Sequence, residues 1–482
     1  MASSEVVLAI DISSSGVRAR AHARDMRVLA ERAVDLTTRV APDGSSAHNL
    51  PEILTALRAV IRPLAGESSL LIRAIGLSGT ASSLALSDLK NLLSDSTSEI
   101  MLWSDTRAAA TFSQIAEHLT LAYDRTLCPP DVTYWPAKLQ FLSSRGGIPG
   151  SASIAGGKDL VYFWLTGRLW TDPMSAGSTG IFDSLNWRWD EDLLRIAHVS
   201  AGRLPEVRAA ADSAPLSQPA AAELHLPLGL PVAIGGMDGM LTQLGSAGTE
   251  KDVASCTIGT SIAFREGSSR RAGDTRRRTW CYPVTRDFWV IGGAGSNGGN
   301  LVTWLRDQLS LAKTIQEIVD LAFNASPDPS LIFVPYLHSE RAPLWRSDLR
   351  AAFIGLSAYH SAGDLSRSVL ESIASLLLEL AETVESVAGV PRQVVFTGRF
   401  LQEKRWVQLM TDALGVETSE AVPDVATSTG AAMAAWAAVE QVSIGDVFSP
   451  RRDFLAKPDP QVHERVRLTA GRIASYRRAL WP

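Results

Sequence analysis

The segment Val6-Val7-Leu8-Ala9-Ile10-Asp11-Ile12-Ser13-Ser14-Ser15-Gly16-Val17-Arg18 is an apolar run followed by a turn of small hydroxyl residues. The second half of the chain contains a similar turn, Thr257-Ile258-Gly259-Thr260-Ser261, after another apolar run. Turns of this composition expose backbone N–H groups that can hold phosphate oxygens. Either turn alone is equally well explained as an ordinary strand-to-strand connection, because Asp, Ser and Gly are the usual turn residues.

A third turn, Gly235-Gly236-Met237-Asp238, lies between these two and follows an apolar run over 230–234. Its glycines let a substrate approach the backbone closely, and a carboxylate at the end of a strand is suited to act as a general base. Along the chain, the base lies between the two phosphate-binding turns. This arrangement predicts the transfer of a phosphoryl group to a hydroxyl.

Length and composition restrict the class of protein. The chain has 482 residues, of which 46% are hydrophobic and 20% charged, and its net charge is −5. A chain of this length is expected to form two domains, and the Pro-, Ala- and Ser-rich stretch 215–231 places their boundary between residues 1–230 and 231–482. The charge balance disfavours nucleic acid and anionic membranes as partners. The one dense basic cluster, 270–278, is interpreted as a solvated loop.

The three cysteines and the hydropathy pattern predict a cytoplasmic protein. Cys128, Cys256 and Cys281 lack metal-ligand spacing, which favours a reducing compartment without a disulfide framework. Cys256 lies in an apolar run and is expected in a core. No apolar stretch approaches the roughly 20 residues of a membrane span, and the amino terminus lacks a leader pattern.

Hydrophobic periodicity predicts that both halves run from strands into helices, as a duplicated α/β unit with a cleft between two lobes. Residues 139–213 are predicted to be mainly helical, including a helix over 159–166. The predicted strands are 6–10, 17–23, 28–34, 71–77, 84–86, 100–103, 232–234, 253–258, 262–265, 289–292 and 393–397. The other predicted helices are 51–61, 108–119, 299–309, 314–322, 365–387, 406–414 and 430–439.

Several segments, in the same order, resemble those of the FGGY carbohydrate kinases. Two are the first turn, which is similar to Asp-x-Gly-Thr-x-Ser-x-Arg, and Gly236-Met237-Asp238, which resembles the family's catalytic turn. The remaining matching segments are Trp103-Ser104-Asp105-Thr106-Arg107, Lys158-Asp159 with Leu165-Thr166-Gly167, Thr171-Asp172, Ser178 to Asp183, Ile258 to Ser261 and Ser339-Glu340-Arg341-Ala342-Pro343. The gluconokinase-like subgroup is suggested by Asp105 to Ala108, Tyr134 to Leu139, Asp238-Gly239 and Gly293 to Asn300.

The resemblance implies the fold and the site. The fold is the two-domain, duplicated, ribonuclease H-like α/β fold of actin, hexokinase and the ATPase domain of heat-shock chaperones, with the active site in the interdomain cleft. ATP and Mg²⁺ are implied, with Asp238 as the general base and with Asp11 and Asp238 holding Mg²⁺ through water. The residues implied to bind the nucleotide are Asp11, Ser13, Ser14, Ser15, Arg18, Gly259, Thr260, Gly299, Gly398, Arg399 and Glu403. Those implied to bind the substrate are Ala81, Ser82, Asp105, Arg107, Tyr134, Asp238 and Gly239.

The chain departs from the family pattern in three places. Ser13 replaces a glycine of the first turn, and its Cβ either narrows the approach to phosphate or forbids a positive φ that glycine allows. Thr397-Gly398-Arg399-Phe400 stands where the family has three glycines, so Arg399 either stacks on a base or, with Phe400, blocks it. Ala81 and Ser82 replace a larger pair that contacts substrate in related kinases, which predicts a wider pocket there.

These departures leave two functions open. The favoured one is an ATP-dependent kinase that phosphorylates a hydroxyl of a small carbohydrate, such as gluconate or a related ketose or polyol. The alternative is a catalytically weak or silent sugar-binding or regulatory member of the same fold. Asp105 and Arg107 likewise have a second interpretation, a local ion pair. Beyond the carbohydrate, the expected partner is at most a second copy of the chain in a homodimer.

Overall fold

A computed structural model gives the structure of the protein and describes residues 3–92, 99–422 and 425–482. The amino-terminal meander is confirmed. Strand β1 (Ser4–Ile12) pairs antiparallel with β2 (Gly16–His22), and β2 pairs antiparallel with β3 (Val28–Asp35). The turn between β1 and β2 is the Ser-rich segment, so the first predicted phosphate-binding turn joins two strands of one sheet.

The rest of the first half alternates short strands with helices. Its other strands are β4 (Arg39–Val40), β5 (Ser46–Asn49), β6 (Leu70–Gly79), β7 (Leu84–Ser87), β8 (Glu99–Met101), β9 (Ser153–Ala155), β10 (Trp170–Thr171), β11 (Phe182–Asp183), β12 (Arg188–Trp189), β13 (Glu206–Val207), β14 (Ser213–Pro215) and β15 (Pro231–Met237). Its helices are α1 (Leu50–Ala65), α2 (Ala116–Thr126), α3 (Trp135–Ser144), α4 (Gly157–Thr166), α5 (Pro173–Gly177), α6 (Glu191–Ile196) and α7 (Gln218–Leu224).

The second half restarts the strand pattern and ends in longer helices. Its strands are β16 (Val253–Ile258), β17 (Ile262–Ser268), β18 (Trp280–Pro283), β19 (Trp289–Ala294), β20 (Ile332–Val334), β21 (Ala352–Ile354), β22 (Gln393–Thr397), β23 (Thr418–Val422) and β24 (Arg451–Ala456). Its helices are α8 (Asp238–Ala247), α9 (Gly299–Asp307), α10 (Ile315–Asn324), α11 (Ala362–Ala388), α12 (Lys404–Leu414), α13 (Ala426–Glu440) and α14 (Pro460–Leu480).

Two sheets share one topology, which confirms the predicted duplication. In the first, β1 lies between antiparallel β2 and parallel β6, and β6 is followed by parallel β15. In the second, β16 lies between antiparallel β17 and parallel β22, and β22 is followed by parallel β23. Since β15 pairs within the first sheet, that sheet takes a strand from beyond residue 230, and the boundary between 230 and 231 stays a prediction.

Helices α8 and α13 pack against each other between the two sheets, and two glycines permit their close approach. A Cβ on Gly245 would lie 1.9 Å from the Ala426 carbonyl oxygen, and one on Gly430 would lie 2.2 Å from that of Leu241. Helix α13 is buried around most of its circumference over Ala431–Ala437. The helix pair therefore fixes the position of the second sheet relative to the first.

Two local predictions are wrong. Residues 139–213 are not mainly helical, because strands β9 to β13 and part of β14 lie among their helices; strands of two or three residues are too short to produce a periodic signal. Residues 107–114 form a 3-10 helix, and α2 begins only at Ala116. Cys256 is fully buried, as predicted, and no helix in the described ranges is both long and apolar enough to cross a membrane.

Candidate active site

Two carboxylates lie at the carboxyl ends of parallel strands of the first sheet. Asp11 near the end of β1 is in register with Ser78 of β6, and Ser78 is in register with Gly236 of β15. Asp238 follows β15 directly and is the first residue of α8. The predicted third turn is thus the junction of a strand and a helix. In open α/β sheets, ligands bind at the carboxyl edge of the parallel strands.

Burial raises the pKa of both carboxyls, and the charge of Asp11 raises that of Asp238 further. Burial raises the pKa of Asp238 to about 6, the negative charge of Asp11 adds to this rise, and the Gly239 N–H and the Arg265 charge oppose it. Burial also raises the pKa of Asp11. Within the described residues, Asp11 Oδ1 is buried without a hydrogen-bond partner. A carboxyl that titrates near neutral pH is suited to accept a proton from a hydroxyl.

A first cavity, of about 240 Å³, contains Asp238 and brings together several predicted substrate residues. Its lining combines aromatic rings, two guanidinium groups and one carboxylate. The lining residues are Ala81, Ser82, Trp103, Thr133, Tyr134, Met237, Asp238, Gly239, Ser261, Ala263, Arg265, Trp280, Tyr282, Ala294, Arg341 and Trp345. Residues of both halves of the chain form this cavity, as the predicted interdomain cleft requires.

The aromatic part of the first cavity is held rigidly. The Tyr134 and Tyr282 hydroxyls are 3.0 Å apart, and the Tyr282 ring stacks on Trp280 with centroids separated by 4.5 Å. The Arg341 guanidinium lies 4.2 Å from the Trp103 ring centroid and donates to the Gly295 carbonyl at 2.6 Å. Rings fixed in this way offer apolar faces to the C–H groups of a carbohydrate, while the polar tips bind its hydroxyls.

Ser82 contributes backbone shape more than a free hydroxyl. It has φ 52° in the left-handed region, and its hydroxyl donates to the Ser178 carbonyl at 2.5 Å. Ala81 beside it adds only a methyl group to the lining. Neither residue brings a free polar group into the lining, and the wider pocket predicted at these two positions stays a prediction.

Asp105 and Arg107 are placed outside the lining of the first cavity. Asp105 is fully buried and accepts hydrogen bonds from the Ser46 N–H at 3.1 Å and from Arg107 Nη2 at 2.6 Å. Arg107 also donates to Glu99 at 2.6 Å. This geometry matches the local ion pair, which links β5 to the loop after β8. A role for Asp105 and Arg107 in substrate binding stays a prediction.

A second cavity, of about 500 Å³, lies beside Asp11 and contains several predicted nucleotide residues. Its lining combines cationic, acidic and hydroxyl side chains from both halves. It includes Asp11, Arg18, Arg20, Thr242, Thr257, Thr397, Gly398, Arg399, Leu401, Gln402, Glu420, Val425, Ala426 and Thr427. Gly398 has φ 114°, and a Cβ there would lie 2.6 Å from the Ile258 carbonyl oxygen. Position 398 therefore requires a glycine, and it is the position of the three where this chain has one.

Arg399 and Phe400, which stand where the family has glycines, point in different directions. Arg399 is exposed and lines the second cavity. Phe400 is buried and packs edge-on against Phe396 and Trp406, with centroids 5.1 and 6.3 Å apart. Of the two open alternatives, blocking by the pair is disfavoured, because the Phe400 ring belongs to the core.

The two predicted phosphate-binding turns have their backbones ordered by hydrogen bonds. The Ser13 N–H donates to the Gly16 carbonyl at 2.9 Å, and the Ser14 carbonyl accepts from Thr38 at 2.7 Å. The Gly259 carbonyl accepts from the Gly299 N–H at 2.9 Å, and a Cβ on Gly299 would clash with it at 2.4 Å. A Cβ on Gly259 would meet no atom within 4 Å, so open space lies beside this turn.

Of the other predicted nucleotide residues, Ser15 and Thr260 lie in these same turns, whereas Glu403 lies at the start of α12. Its carboxylate accepts from the Arg405 N–H at 3.1 Å and from Gln316 at 2.8 Å, and Arg405 lowers its pKa to about 2. Glu403 therefore caps the helix, and nucleotide contact by Ser15, Thr260 and Glu403 stays a prediction.

Sequence reasoning missed three polar residues between the two cavities. Arg265 lines the first cavity, Thr257 and Thr397 line the second, and Arg265 Nη1 donates to the Thr257 hydroxyl at 3.1 Å. Arg265 was detectable as a cation in the strand that follows a phosphate-binding turn. The aromatic residues Trp280, Tyr282 and Trp345 carry no such signal, because rings in a strand or loop usually belong to a core.

Comparison with known proteins places this geometry in a family. The model of the FGGY family of carbohydrate kinases, N-terminal domain, matches residues 6–245, and that of the C-terminal domain matches residues 254–439. A gluconokinase of Bacillus subtilis (strain 168) is 29% identical over 347 residues, which cover 67% of this chain and 66% of that protein. The aligned region thus spans just under two thirds of that relative's length.

Solved structures match the whole chain. A gluconate kinase from Lactobacillus acidophilus has a TM-score of 0.91 at 24% identity, covering 99% of this chain and 98% of that chain. A Plasmodium falciparum glycerol kinase with ADP has a TM-score of 0.87 at 20% identity, covering 99% of both chains. These structures establish the two-domain fold, and the two family models together cover most of the sequence. The chain therefore belongs to the FGGY family of carbohydrate kinases, which are phosphotransferases.

Proposed function

We propose that this protein transfers the terminal phosphoryl group of ATP to a hydroxyl of a small carbohydrate, with Asp238 as the general base. The observation that carries the proposal is the position of Asp238. Its carboxylate lines the first cavity, its pKa is raised to about 6, and the Asp11 carboxylate that contributes to this rise lines the second cavity. An acceptor hydroxyl at Asp238 would face a phosphate held beside Asp11.

The second cavity supports nucleotide binding. Arg18, Arg20 and Arg399 provide positive charge for phosphate oxygens, and Arg399 offers a planar group on which a base can stack. The relative with bound ADP has the same fold. Positioning and charge stabilisation account for most of catalysis in phosphoryl transfer, so ordered turns and arginines are the parts required.

Asp11 and Asp238 fit a magnesium ion held mainly by water and phosphate. Mg²⁺ is commonly bound through one or two carboxylates, with waters and substrate phosphates completing its six ligands. Within the described residues, Asp11 Oδ1 is a buried oxygen without a partner, and no group of three or more His, Cys, Asp or Glu side chains forms an all-protein metal site. Bound there, the ion would neutralise phosphate charge.

The charges of the first cavity support an anionic acceptor. Arg265 and Arg341 carry two positive charges into the lining, against one negative charge on Asp238. A sugar acid is therefore favoured over a neutral polyol of similar size, in agreement with the similarity to a gluconokinase. Gluconate is the first acceptor to test, with ketoses and neutral polyols as the comparison set.

Coupled measurement of ADP release tests the proposal. Purified protein is incubated with MgATP and, separately, with sugar acids, ketoses and polyols, and ADP release is compared with that of the Asp238→Asn variant. We expect at least one acceptor to raise ADP release well above the rate without acceptor, with sugar acids as the best class. Acceptor binding without any release of ADP would instead support the silent sugar-binding function.

Replacing Arg399 by glycine tests the nucleotide side. Because Arg399 is exposed and lines the second cavity, Arg399→Gly is expected to raise the KM for ATP about 3- to 30-fold, the range of one exposed cation–π or charge contact. The KM for the carbohydrate should change less than twofold. Arg392→Gly, which removes an exposed arginine paired with Glu250 outside both cavities, is the matched control. A larger change in the carbohydrate KM than in the ATP KM would place residue 399 away from the nucleotide.

A further inference from the structure

Arg265 has more hydrogen-bond donors than the protein uses. Among the described residues, the one hydrogen bond of its guanidinium runs from Nη1 to the Thr257 hydroxyl at 3.1 Å. Arginine has five N–H donors. Arg265 lines the first cavity, and its Nε and Nη2 lie beside Gly239, which lines the same cavity. A half-buried cation with unused donors in a cavity is suited to bind an anion.

The neighbouring glycine provides the room that this guanidinium occupies. A Cβ on Gly239 would lie 3.1 Å from Arg265 Nε and 3.3 Å from Nη2. These separations are tighter than ordinary van der Waals contact. Gly239 follows the proposed base directly, so its missing side chain lets the guanidinium approach the first turn of α8, where Asp238 lies.

Arg265 also bridges the two cavities. It lines the first cavity, while its partner Thr257 lines the second and contacts Thr397 at 2.8 Å. Thr257 and Arg265 flank the second phosphate-binding turn, because β16 ends at Ile258 and β17 begins at Ile262. Arg265 and Thr257 therefore join the linings of the cavity proposed for the acceptor and the cavity proposed for the nucleotide.

We infer that Arg265 is a further catalytic residue, which binds oxygens of the phosphoryl group during its transfer. In that step the acceptor oxygen forms a bond to the γ-phosphorus as the bond to the β-phosphate oxygen breaks. ADP leaves with that electron pair, and the hydroxyl proton passes to the Asp238 carboxylate. The guanidinium stabilises the negative charge spread over the γ-phosphoryl oxygens.

The inference rests on the proposed function and assigns direct contact with an acceptor carboxylate to a different cation. A carboxylate of the acceptor would have to lie next to the reacting hydroxyl to reach Arg265, since both Arg265 and Asp238 border Gly239. Arg341, stacked on Trp103, is the separate cation available to such a carboxylate.

The test measures how strongly aluminium fluoride, a mimic of the phosphoryl group during transfer, tightens the binding of ADP. ADP, Mg²⁺ and the best acceptor of the panel are titrated with and without aluminium fluoride, which imitates the transferred phosphoryl group. In the wild-type protein, fluoride is expected to tighten ADP binding. In Arg265→Met this tightening should fall at least tenfold, while affinity for ADP alone changes less than twofold. The kcat should fall by about 10²- to 10³-fold, as for other preorganised charge-stabilising donors.

Further variants sharpen the result. Glu266→Gln changes the next residue of β17, whose side chain points to the opposite face of the sheet and is buried; it should retain wild-type tightening. Gly239→Ala should weaken the tightening as Arg265→Met does, and the double variant should lose little more, because both changes remove the same contact. If Arg265→Met does not fold, Arg265→Lys, which keeps the charge but not the planar fork, permits the same measurement.

Three outcomes overturn the inference in distinguishable ways. Unchanged tightening by fluoride in a folded Arg265 variant removes the residue from the transfer step. A rise in KM confined to acidic acceptors, with kcat retained, assigns Arg265 to the carboxylate of the substrate. Absence of ADP release by the wild-type protein with every acceptor contradicts the proposed function itself.

Discussion

Asp238→Asn is expected to reduce kcat by about 10²- to 10⁴-fold, the usual contribution of a positioned general base. Asparagine has nearly the same shape as aspartate but cannot accept the hydroxyl proton. The affinity of the carbohydrate should change less than threefold, because the other residues of the first cavity remain in place. Steady-state kinetics together with calorimetric titration of the carbohydrate measures both quantities.

The matched control is Asp287→Asn, the same chemical change at an exposed residue outside both cavities. It should retain wild-type kcat. Turnover by Asp238→Asn within threefold of the wild-type rate would exclude Asp238 as the base, and a loss of carbohydrate binding equal to the loss in kcat would make it a binding residue.

The pH profile provides a second measurement on the same residue. A base works only when ionised, and the pKa of Asp238 is raised to about 6 by burial and by Asp11. The kcat/KM should therefore be constant above pH 7 and fall tenfold per pH unit below about pH 6. In Asp238→Asn the residual rate should lack this acidic limb.

The sequence predicts the existence and order of most strands and helices well, because each element depends on a local pattern of residues. The strands on either side of the Ser13–Ser15 turn and the strand before Gly259 are long, apolar and bounded by turn residues, so their existence and order could be read directly. At Asp238 the pattern predicted a turn, whereas the helix α8 that begins there was not predicted. Helix α13, which is buried around most of its circumference, was predicted over 430–439 and begins at Ala426.

The site itself could be predicted only in part, because a cavity depends on residues that are distant in the chain. Arg265 and Trp280 acquire their roles from packing against the loop at Asp238 and from the aromatic cluster of Tyr282. Conversely, Asp105 and Arg107 have the residue types of a substrate site, yet they satisfy each other. Whether a charged side chain faces a ligand or a neighbour is decided by tertiary contacts that a single sequence does not contain.

A buried ion triad beneath the first cavity illustrates a motif whose role is structural. Lys158 Nζ lies 3.1 Å from Asp159 Oδ1 and 3.1 Å from Asp172 Oδ2, and the three side chains are at most 5% exposed. Asp172 also accepts the Ser175 N–H at 2.9 Å, which begins α5, and Asp159 accepts the Gly156 N–H at 3.1 Å, which begins α4. The lysine thus neutralises two carboxylates that hold the starts of two helices.

Lys158→Met is expected to lower the free energy of unfolding by about 3–5 kcal/mol, because removing one partner leaves uncompensated buried charge. Methionine has a similar length, so lost volume contributes little. Denaturant unfolding followed by circular dichroism measures the change.

The exposed pair Lys457–Glu417 is the control: its side chains are 72% and 53% exposed, and Lys457→Met should cost less than about 1 kcal/mol. Adding Asp159→Asn to Lys158→Met should recover part of the loss, since one uncompensated charge is removed while an oxygen remains for the Gly156 N–H. Equal losses in the two lysine variants would mean that the carboxylates of the triad do not depend on Lys158.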